Sequence, residues 1–373
     1  MFAALTAGVC FHSVRRFILN ENNNKDIHMN KLIFAALVTW LTLPVSAQPG
    51  AFNPPLLDCG RDGDVDMICG TRAPEDFEIT PDGRYLIIAK FGMGDDHPLD
   101  LYNFATGAFS PLSISADKQD GWGDPACIES IGDAVGPHGL SLTQRSGGEW
   151  QFYVVNHNER ESMEMYELLQ DGNSWRLAWR GCVFAEVPYN DVSTRPDGSY
   201  VATRPTAFLT EGSNVFSGEP TGDVARWTAA GGEVVLPGTE IGYPNGVLVS
   251  DDGRYAYISG WTTSDFHKYD LQEQREVARV DLGFMPDNLT WTPDGRLMAA
   301  GIKGVNGNCP ANSDNPCLQG FEVVIVNPDN AAITRVFDSR GRALINGVSV
   351  AIEHNEQVYV GSFQGTRMVR FSR

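Results

Sequence analysis

The sequence predicts an all-β protein, folded as a six-bladed β-propeller around a central tunnel. A frame of strand, turn and strand recurs six times, and its copies start roughly 40 to 65 residues apart, the spacing of four-stranded blades with variable loops. The chain contains 39 Gly and 21 Pro and has no long helical periodicity. Its 373 residues suffice for one large domain, and no second domain is indicated.

Each copy of the frame opens with a polar residue and continues through alternating apolar positions, and the clear copies turn at an Asp-Gly pair. The four clear copies are EDFEITPDGRYLIIA from Glu75, NDVSTRPDGSYVAT from Asn190, NGVLVSDDGRYAYIS from Asn245 and DNLTWTPDGRLMAAG from Asp287. Two looser copies keep the opening but not the turn: HGLSLTQRSGGEWQFYVVNH from His138 and NGVSVAIEHNEQVYVGSF from Asn346. Six copies indicate six blades.

The opening residues predict a site, because one position in a radially repeated unit is delivered to the same radius around the axis. They are Glu75, His138, Asn190, Asn245, Asp287 and Asn346. Taken singly, each is explained by a loop end before a strand. Taken together, they form a ring of oxygen donors around one imidazole, a candidate metal and reaction site. Such hard oxygen ligands in loose geometry favour calcium over magnesium, and no Cys/His cluster of zinc spacing is present.

Two of the opening residues are followed directly by an aspartate, Asp76 after Glu75 and Asp191 after Asn190. Consecutive strand residues point to opposite faces, so these acids cannot join their neighbours at one ligand unless the backbone bends. One interpretation is a second ion deeper in the tunnel, because a buried acid pair without a partner would be costly. The other is that each acid accepts backbone hydrogen bonds at a strand start. The residues alone leave both open.

The N-terminus indicates export. From Met29 the chain reads MNKLIFAALVTWLTLPVSAQPGAF, a basic residue followed by an apolar run and small residues. This layout predicts a signal peptide over residues 29–47, cleaved between Ala47 and Gln48, and a secreted or periplasmic protein. A retained membrane anchor is the alternative, although the apolar run is short for a bilayer span. Residues 1–28 show no targeting pattern, so we expect translation to start at Met29 and the propeller to occupy residues 48–373.

Export permits disulfides, and six cysteines follow the predicted leader. Local spacing favours the pairs Cys309–Cys317 and Cys59–Cys69. The remaining two, Cys127 and Cys182, are then left for each other.

The chain has a formal net charge of −19. This balance argues against nucleic acid or an anionic membrane surface as a partner. It agrees with cation binding, although a solvated acidic surface is the commoner reason for such a charge.

Five segments in register resemble the serum paraoxonase/arylesterase family of six-bladed propellers. They are EDFEITPDG, PHGLSL followed by YVVNH, YNDVSTRPDG, YPNGVLVSDDGRYAYI and PDNLTWTPDG. The resemblance runs from about Pro74 to the C-terminus, and the similarity to the broader gluconolactonase-like propellers is weaker. It implies a calcium-dependent hydrolase of lactones or aryl esters.

Carried over by position, the resemblance implies two calcium ions and a histidine dyad. A catalytic ion would be held by Glu75, Asn190, Asn245, Asp287 and Asn288. A structural ion would be held by Asp76, Asp191 and the backbone carbonyl of Leu140. The dyad would be His138 and His157, with His138 taking a proton from the attacking water and His157 orienting His138 or relaying the proton. Calcium would polarise the carbonyl, and no GxSxG segment offers a serine nucleophile instead.

The chain departs from the family pattern around the predicted pocket. Where the family continues the third frame with Asn-Asp-His, this chain has Arg204, Pro205 and Thr206, and its Ile302 and Lys303 replace a Cys-His pair. The C-terminal MVRFSR contains no cysteine for the family's clasp between chain ends. The residues predicted to bind calcium are therefore retained, while residues predicted to line the pocket differ from the family.

Two function classes stay open from the sequence. The first is a secreted calcium-dependent lactonase or arylesterase acting on a small molecule. The second is a non-catalytic propeller that keeps calcium for rigidity and binds a ligand or partner. The pair His138 and His157 favours the first, because a binding protein has no need of a dyad at the axis. The physiological substrate, the oligomeric state and the role of Asn346 remain open.

Overall fold

The computed structural model describes residues 56–92, 97–206, 219–303, 320–340 and 342–373. The predicted leader, residues 1–28 and the pair Cys309–Cys317 lie outside these residues. The described residues form strands and no helix, so none of their elements is a helix that would cross a membrane. In chain order the strands are Gly60–Asp62 (β1), Val65–Cys69 (β2), Pro74–Ile79 (β3), Tyr85–Lys90 (β4), Leu99–Asn103 (β5), Phe109–Pro111 (β6), Ile114–Ala116 (β7), Pro137–Gln144 (β8), Trp150–Asn156 (β9), Ser162–Asp171 (β10), Ser174–Phe184 (β11), Val192–Thr194 (β12), Tyr200–Pro205 (β13), Gly222–Thr228 (β14), Gly232–Val235 (β15), Pro244–Val249 (β16), Tyr255–Gly260 (β17), Asp265–Asp270 (β18), Arg275–Asp281 (β19), Met285–Trp291 (β20), Leu297–Lys303 (β21), Gly320–Val326 (β22), Ile333–Asp338 (β23), Val348–His354 (β24), Gln357–Ser362 (β25) and Arg367–Ser372 (β26).

These strands form six sheets, the six blades of a β-propeller, as the sequence predicts. Blade 1 is β3–β6, blade 3 is β12–β15, blade 4 is β16–β19 and blade 5 is β20–β23. Blade 2 is β8–β11, extended by β7, which pairs in parallel with β11. Blade 6 is β24–β26, extended by β2 and β1. The first strand of each frame is the inner strand of its blade, and adjacent inner strands are in contact around the whole ring.

The ring of blades is closed by strands from the two ends of the propeller. Strand β2 pairs antiparallel with β26, with Val65 opposite Phe371 and Cys69 opposite Arg367. Every residue of β2 contributes to this ladder. Backbone pairing therefore joins the first strands of the propeller to its last strand, where the C-terminal MVRFSR has no cysteine for a disulfide clasp.

Six apolar clusters hold the blades together, and each contains residues of two neighbouring blades. Phe152 of blade 2 packs in one cluster with Leu101 of blade 1, and Ile258 of blade 4 packs with Val201 of blade 3. The cluster that contains Phe77 joins blade 6 to blade 1 and completes the circle. Since each blade is fixed between two such clusters, the polar residues at the start of its inner strand are held on a rigid scaffold.

A β-bulge lies at the start of the inner strand in five blades. The pairing register shifts between Pro74 and Asp76, Pro137 and Leu140, Pro244 and Val247, Pro286 and Leu289, and Val348 and Ala351. In blade 3, Thr203 exchanges backbone hydrogen bonds with both Asn190 and Asp191. A bulge places two residues opposite one and bends the strand. The backbone bend that would let consecutive frame residues face the tunnel is therefore present.

Two of the predicted disulfides are present and confirm the pairing expected from spacing. Cys59 and Cys69 join β2 to the residue before β1, with a Cα–Cα distance of 6.0 Å. Cys127 and Cys182 join the segment before blade 2 to β11, with a Cα–Cα distance of 5.6 Å.

Candidate active site

The predicted ring residues come together at the N-terminal ends of the six inner strands. Glu75, Asn190, Asn245, Asp287 and Asn346 are all buried, each with at most 4% of its surface exposed. The side chain of His138 is 13% exposed.

Side-chain contacts link the ring across blade boundaries. The Asn288 amide donates to Glu75 Oε1 at 2.8 Å, which joins blade 5 to blade 1. Glu75 Oε1 lies 3.6 Å from His138 Nε2, and the Asn190 Nδ2 atom lies 3.4 Å from the same imidazole nitrogen. Between blades 4 and 5, the Asn245 amide hydrogen-bonds the Asp287 carboxyl. These contacts link side chains from blades 1 to 5, and Asn288 reaches Glu75 although blade 6 lies between their blades.

Four buried oxygens of this network have no hydrogen-bond partner within the described structure. They are Glu75 Oε2, Asn190 Oδ1, Asn245 Oδ1 and Asn288 Oδ1. Buried acceptors are rarely left unsatisfied, because each costs free energy comparable to a lost hydrogen bond. All four belong to residues that the family resemblance assigns to a catalytic calcium. Hard oxygen donors converging without partners fit a calcium ion, and the set fits poorly to zinc, which prefers nitrogen and sulfur.

The buried acids of the site also favour a bound cation. Burial raises the pKa of Glu75 well above its usual range, and the neighbouring Asp76 and Asp287 raise it further. Burial likewise raises the pKa of Asp287 and Asp191, and it raises the pKa of Asp76 to about 7. Among the described residues, no Lys or Arg forms an ion pair with any of these four carboxyl groups. A cation at the axis would compensate them and restore their ionised forms.

The described residues contain no cluster of three or more His, Cys, Asp or Glu arranged to hold a metal. The ring differs from such clusters because three of its four unpartnered oxygens are amide oxygens. Calcium accepts amide and carbonyl oxygens alongside carboxylates.

The two second acids form a separate layer next to the ring. Asp76 accepts hydrogen bonds from the Phe77 and Leu140 amides at 2.8 and 2.6 Å. Asp191 accepts from the Val192 and Val247 amides, both at 2.7 Å. The backbone-bonded interpretation of these acids is therefore observed, and each acid links its own blade to the next. A carboxylate oxygen has further lone pairs, so a second ion held by Asp76, Asp191 and the Leu140 carbonyl stays a prediction.

Beyond this second layer, the tunnel contains a cavity of about 660 Å³. Its lining includes Glu78, Ser141, Thr194, Trp150 and Trp291. The Glu78 carboxyl accepts a hydrogen bond from the Leu142 amide at 2.8 Å, and burial raises its pKa to about 8. This cavity lies on the far side of Asp76 and Asp191 from His138, so it is not the space in which the ring and the imidazole meet.

The histidines predicted as a dyad are in direct contact. His138 Nδ1 lies 3.0 Å from His157 Nε2, and the Phe91 ring packs against His138 with a centroid distance of 4.6 Å. Burial and the nearby His157 hold the pKa of His138 well below its ordinary value. The imidazole is therefore neutral near pH 7 and can accept a proton through a free ring nitrogen.

A third member of this chain was not predicted from the sequence. Glu161 Oε2 lies 2.7 Å from His157 Nδ1, on the loop that joins β9 to β10. The only sequence signal was an acid four residues after His157, which carries no meaning until the loop conformation is known. Glu161, His157 and His138 thus form a continuous chain of hydrogen bonds that ends at the ring.

The loop that carries His157 is fixed by the segment before blade 2. The His157 amide donates to the Gly136 carbonyl at 3.0 Å, and the Asn158 side chain donates to the Ala134 carbonyl at 2.9 Å. The disulfide between Cys127 and Cys182 holds the start of this segment against β11. The disulfide therefore anchors the beginning of the segment whose end holds the His157 loop.

The two charged residues that depart from the family pattern form ion pairs within their own blades. Arg204 is buried, makes a two-pronged contact with Asp223 at 2.7 and 3.1 Å, and also bonds Glu233. Lys303 bonds Glu322 and lies 3.1 Å from Asp338. Both charges are balanced in the blade walls, so neither adds an uncompensated cation to the tunnel.

The fold and the site define the class of this protein as a six-bladed β-propeller with a buried polar site at one end of its tunnel. Within that class, the chain belongs to the arylesterase family, whose model matches residues 131–369, more than half of its length. This confirms the resemblance drawn from the five sequence segments. Family membership supports a hydrolase of the esterase or lactonase type.

Individual relatives agree with this assignment. The chain is 25% identical over 309 residues to serum paraoxonase/lactonase 3 of Homo sapiens, which covers 77% of this chain and 82% of the human protein. It is 23% identical over 314 residues to serum paraoxonase/arylesterase 2 of Rattus norvegicus, with the same two shares of 77% and 82%.

Solved structures share the fold at low sequence identity. A gluconolactonase from Xanthomonas campestris matches with a TM-score of 0.50 and 13% identity, covering 86% of this chain and 94% of that one. An aldose sugar dehydrogenase from Streptomyces coelicolor in its PQQ-bound form also matches with a TM-score of 0.50, at 12% identity, covering 84% and 99%. Because a lactonase and a dehydrogenase match equally well, these structures support the propeller fold alone.

Proposed function

We propose that this protein is an exported, calcium-dependent hydrolase of lactones and aryl esters. The observation that carries the proposal is the set of four buried, unpartnered oxygens beside an imidazole nitrogen that faces them. The ion would be held by Glu75, Asn190, Asn245, Asp287 and Asn288. When bound, it supplies Lewis-acid polarisation of the substrate carbonyl and charge stabilisation of the developing oxyanion.

His138 is the general base of the proposed reaction. Its Nε2 atom faces the ring and takes a proton from the water whose oxygen attacks the carbonyl carbon. When the carbon–oxygen bond of the ester or lactone breaks, the same nitrogen returns that proton to the leaving oxygen. A lactone yields a hydroxy acid, and an aryl ester yields an acid and a phenol.

His157 and Phe91 restrain the base. His157 contacts His138 Nδ1 and fixes the imidazole plane, while the Phe91 ring covers one side of it. An apolar cover excludes bulk water from the base and leaves one open direction, toward the ring. Both contacts support catalysis, because a calcium ion held for rigidity alone has no need of an oriented imidazole.

Asp76, Asp191 and the Leu140 carbonyl would hold the second, structural ion. Their support is the resemblance and the raised pKa of both acids, which burial causes. In addition, Asp76 and Asp191 each link two blades through backbone amides, so an ion here would reinforce contacts that already exist.

We further propose export through the leader that begins at Met29. Two disulfides within the described propeller support an oxidising compartment. The mature protein would begin at or near Gln48 and act on small molecules outside the cytosol.

The test is a panel of γ- and δ-lactones, acyl-homoserine lactones and phenyl acetate, assayed with calcium and with a chelator. We expect hydrolysis of at least one class that chelation abolishes and added calcium restores. Hydrolysis that survives exhaustive chelation would contradict the calcium-dependent mechanism. A protein that binds calcium tightly but hydrolyses nothing in the panel would be the non-catalytic binding propeller instead.

A further inference from the structure

We infer that Glu161 is a positioning residue that sets the tautomers of both histidines, so that His138 presents an unprotonated Nε2 to the ring. The inference rests on the proposed function, because it assigns a role in activating the catalytic base. Its foundation is the unbroken series of contacts from Glu161 through His157 to His138.

The direction of each hydrogen bond follows from the carboxylate at the outer end. A carboxylate can only accept, so the 2.7 Å contact requires a proton on His157 Nδ1. In a neutral imidazole the other nitrogen is then an acceptor, and His157 Nε2 receives the Nδ1 proton of His138 across 3.0 Å. His138 therefore carries its proton on Nδ1, and its Nε2 lone pair is left facing the tunnel.

At the inner end, the contact with Asn190 agrees with this assignment, and Glu75 Oε1, at 3.6 Å from His138 Nε2, lies beyond hydrogen-bond distance. Asn190 Nδ2, which can only donate, lies 3.4 Å from His138 Nε2 and matches a lone pair there. The opposite tautomer would place two donors face to face. This orientation also turns Asn190 Oδ1 away from the imidazole, and that atom is one of the unpartnered oxygens of the ring.

The loop around Glu161 is held well enough for this role. The Glu161 carbonyl accepts from the Ala185 amide at 3.0 Å. The preceding Arg160 contacts the fully buried Glu164 at 2.8 and 3.1 Å, and the Asn156 side chain bonds the Arg160 carbonyl at 2.7 Å. The Glu161 side chain is 38% exposed, so solvent weakens its influence and we expect a moderate effect.

The loop also provides a matched control. Glu159 lies two residues earlier on the same loop and is exposed. E159A removes the same charge from the same loop without removing the acceptor of His157.

The experiment compares wild type, E161A, E161Q and E159A by ¹⁵N NMR of the imidazole nitrogens and by lactone kinetics at saturating calcium. In wild type and E159A we expect both histidines to be protonated at Nδ1. In E161A we expect mixed tautomers, a kcat reduced about tenfold and a KM within about twofold, since a positioning defect acts on the transition state rather than on substrate binding. E161Q keeps an oxygen acceptor and should retain the wild-type tautomers and most of kcat.

Several outcomes would overturn the inference. Wild-type tautomers in E161A would do so whatever the activity, and so would an equal loss of kcat in E159A. If E161A does not fold, E161K, whose ammonium can only donate, takes its place with the same expectation. The NMR measurement needs no substrate, so it decides the role of Glu161 even if the wild type proves inactive on the whole panel and the proposed function fails.

Discussion

The two polar layers of the tunnel are made from consecutive residues of the same frames. They differ in whether the protein supplies a hydrogen-bond donor to every side-chain oxygen. In the ring, Glu75 and Asn190 each keep an oxygen with no hydrogen-bond partner among the described residues. One residue further along, both oxygens of Asp76 and of Asp191 accept backbone amides. The protein itself satisfies the oxygens of the second layer, whereas it leaves these ring oxygens open, as the proposed calcium site requires. The proposed ligand-binding role and the structural role thus fall on consecutive residues.

The largest expected effect is a loss of hydrolysis rate when His138 is replaced. In H138Q the glutamine keeps a polar group of similar reach but loses the proton-accepting imidazole, so the rate of lactone hydrolysis should fall by about 10² to 10⁴. Calcium affinity and melting temperature should change little, because no proposed calcium ligand is altered. Steady-state kinetics measures the rate, and calorimetry on the same preparations measures calcium affinity and melting temperature.

His354 offers the control for that variant. It lies at the opposite end of the inner strand β24, so H354Q removes an imidazole far from the ring. Its activity should match the wild type. If H138Q hydrolyses its best lactone at the wild-type rate, His138 is not the base.

The next effect concerns the ring alone. E75Q replaces a carboxylate by an amide of the same shape and should weaken calcium binding at least about 100-fold, or about 3 kcal/mol. In chelator the same variant should unfold at a higher temperature than wild type, because it removes a desolvated acid that has no cationic partner. Isothermal titration measures the calcium affinity, and thermal melting in chelator measures the unfolding temperature.

Glu78 provides a matched comparison for that change. It is a half-buried acid three residues later in the same strand, and it lines the cavity beyond the second layer. E78Q should leave calcium affinity within about threefold of wild type. Equal losses in E75Q and E78Q would mean that calcium responds to the total charge of the tunnel and not to the ring.

A smaller effect is expected from the second layer. D191A leaves the amides of Val192 and Val247 without an acceptor and should lower the free energy of unfolding by about 2 kcal/mol even in chelator. D191N keeps one acceptor oxygen and should cost roughly half as much. Urea unfolding in chelator would measure both, and a wild-type unfolding curve for D191A would show that these cross-blade bonds do not support the fold.

The fold and the ring could be predicted because they are repeated. Six frames at blade spacing identify the architecture, and one fixed position per frame identifies Glu75, Asn190 and Asn245 as neighbours although they are far apart in sequence. Cysteine spacing likewise predicted the pair Cys59–Cys69, which closes a short hairpin.

Features that occur once could not be predicted in the same way. The role of Glu161 depends on a loop conformation, and the pairing of Arg204 with Asp223 and Glu233 depends on contacts between strands of one blade. Strict alternation along a strand placed Asp76 on the opposite face from Glu75, but alternation does not anticipate the extra residue of a bulge. The one-residue register shift became visible only in the pairing of β3 with β4.

The proposed function depends on the unpartnered oxygens of the ring forming a calcium site. Titration of the chelator-treated protein with calcium, followed by calorimetry and with E75Q in parallel, tests it most directly. We predict saturable binding to wild type, a higher melting temperature in the calcium-bound protein because the ion binds only the folded state, and a large loss of affinity in E75Q. No binding heat and an unchanged melting curve for the wild type would contradict the account.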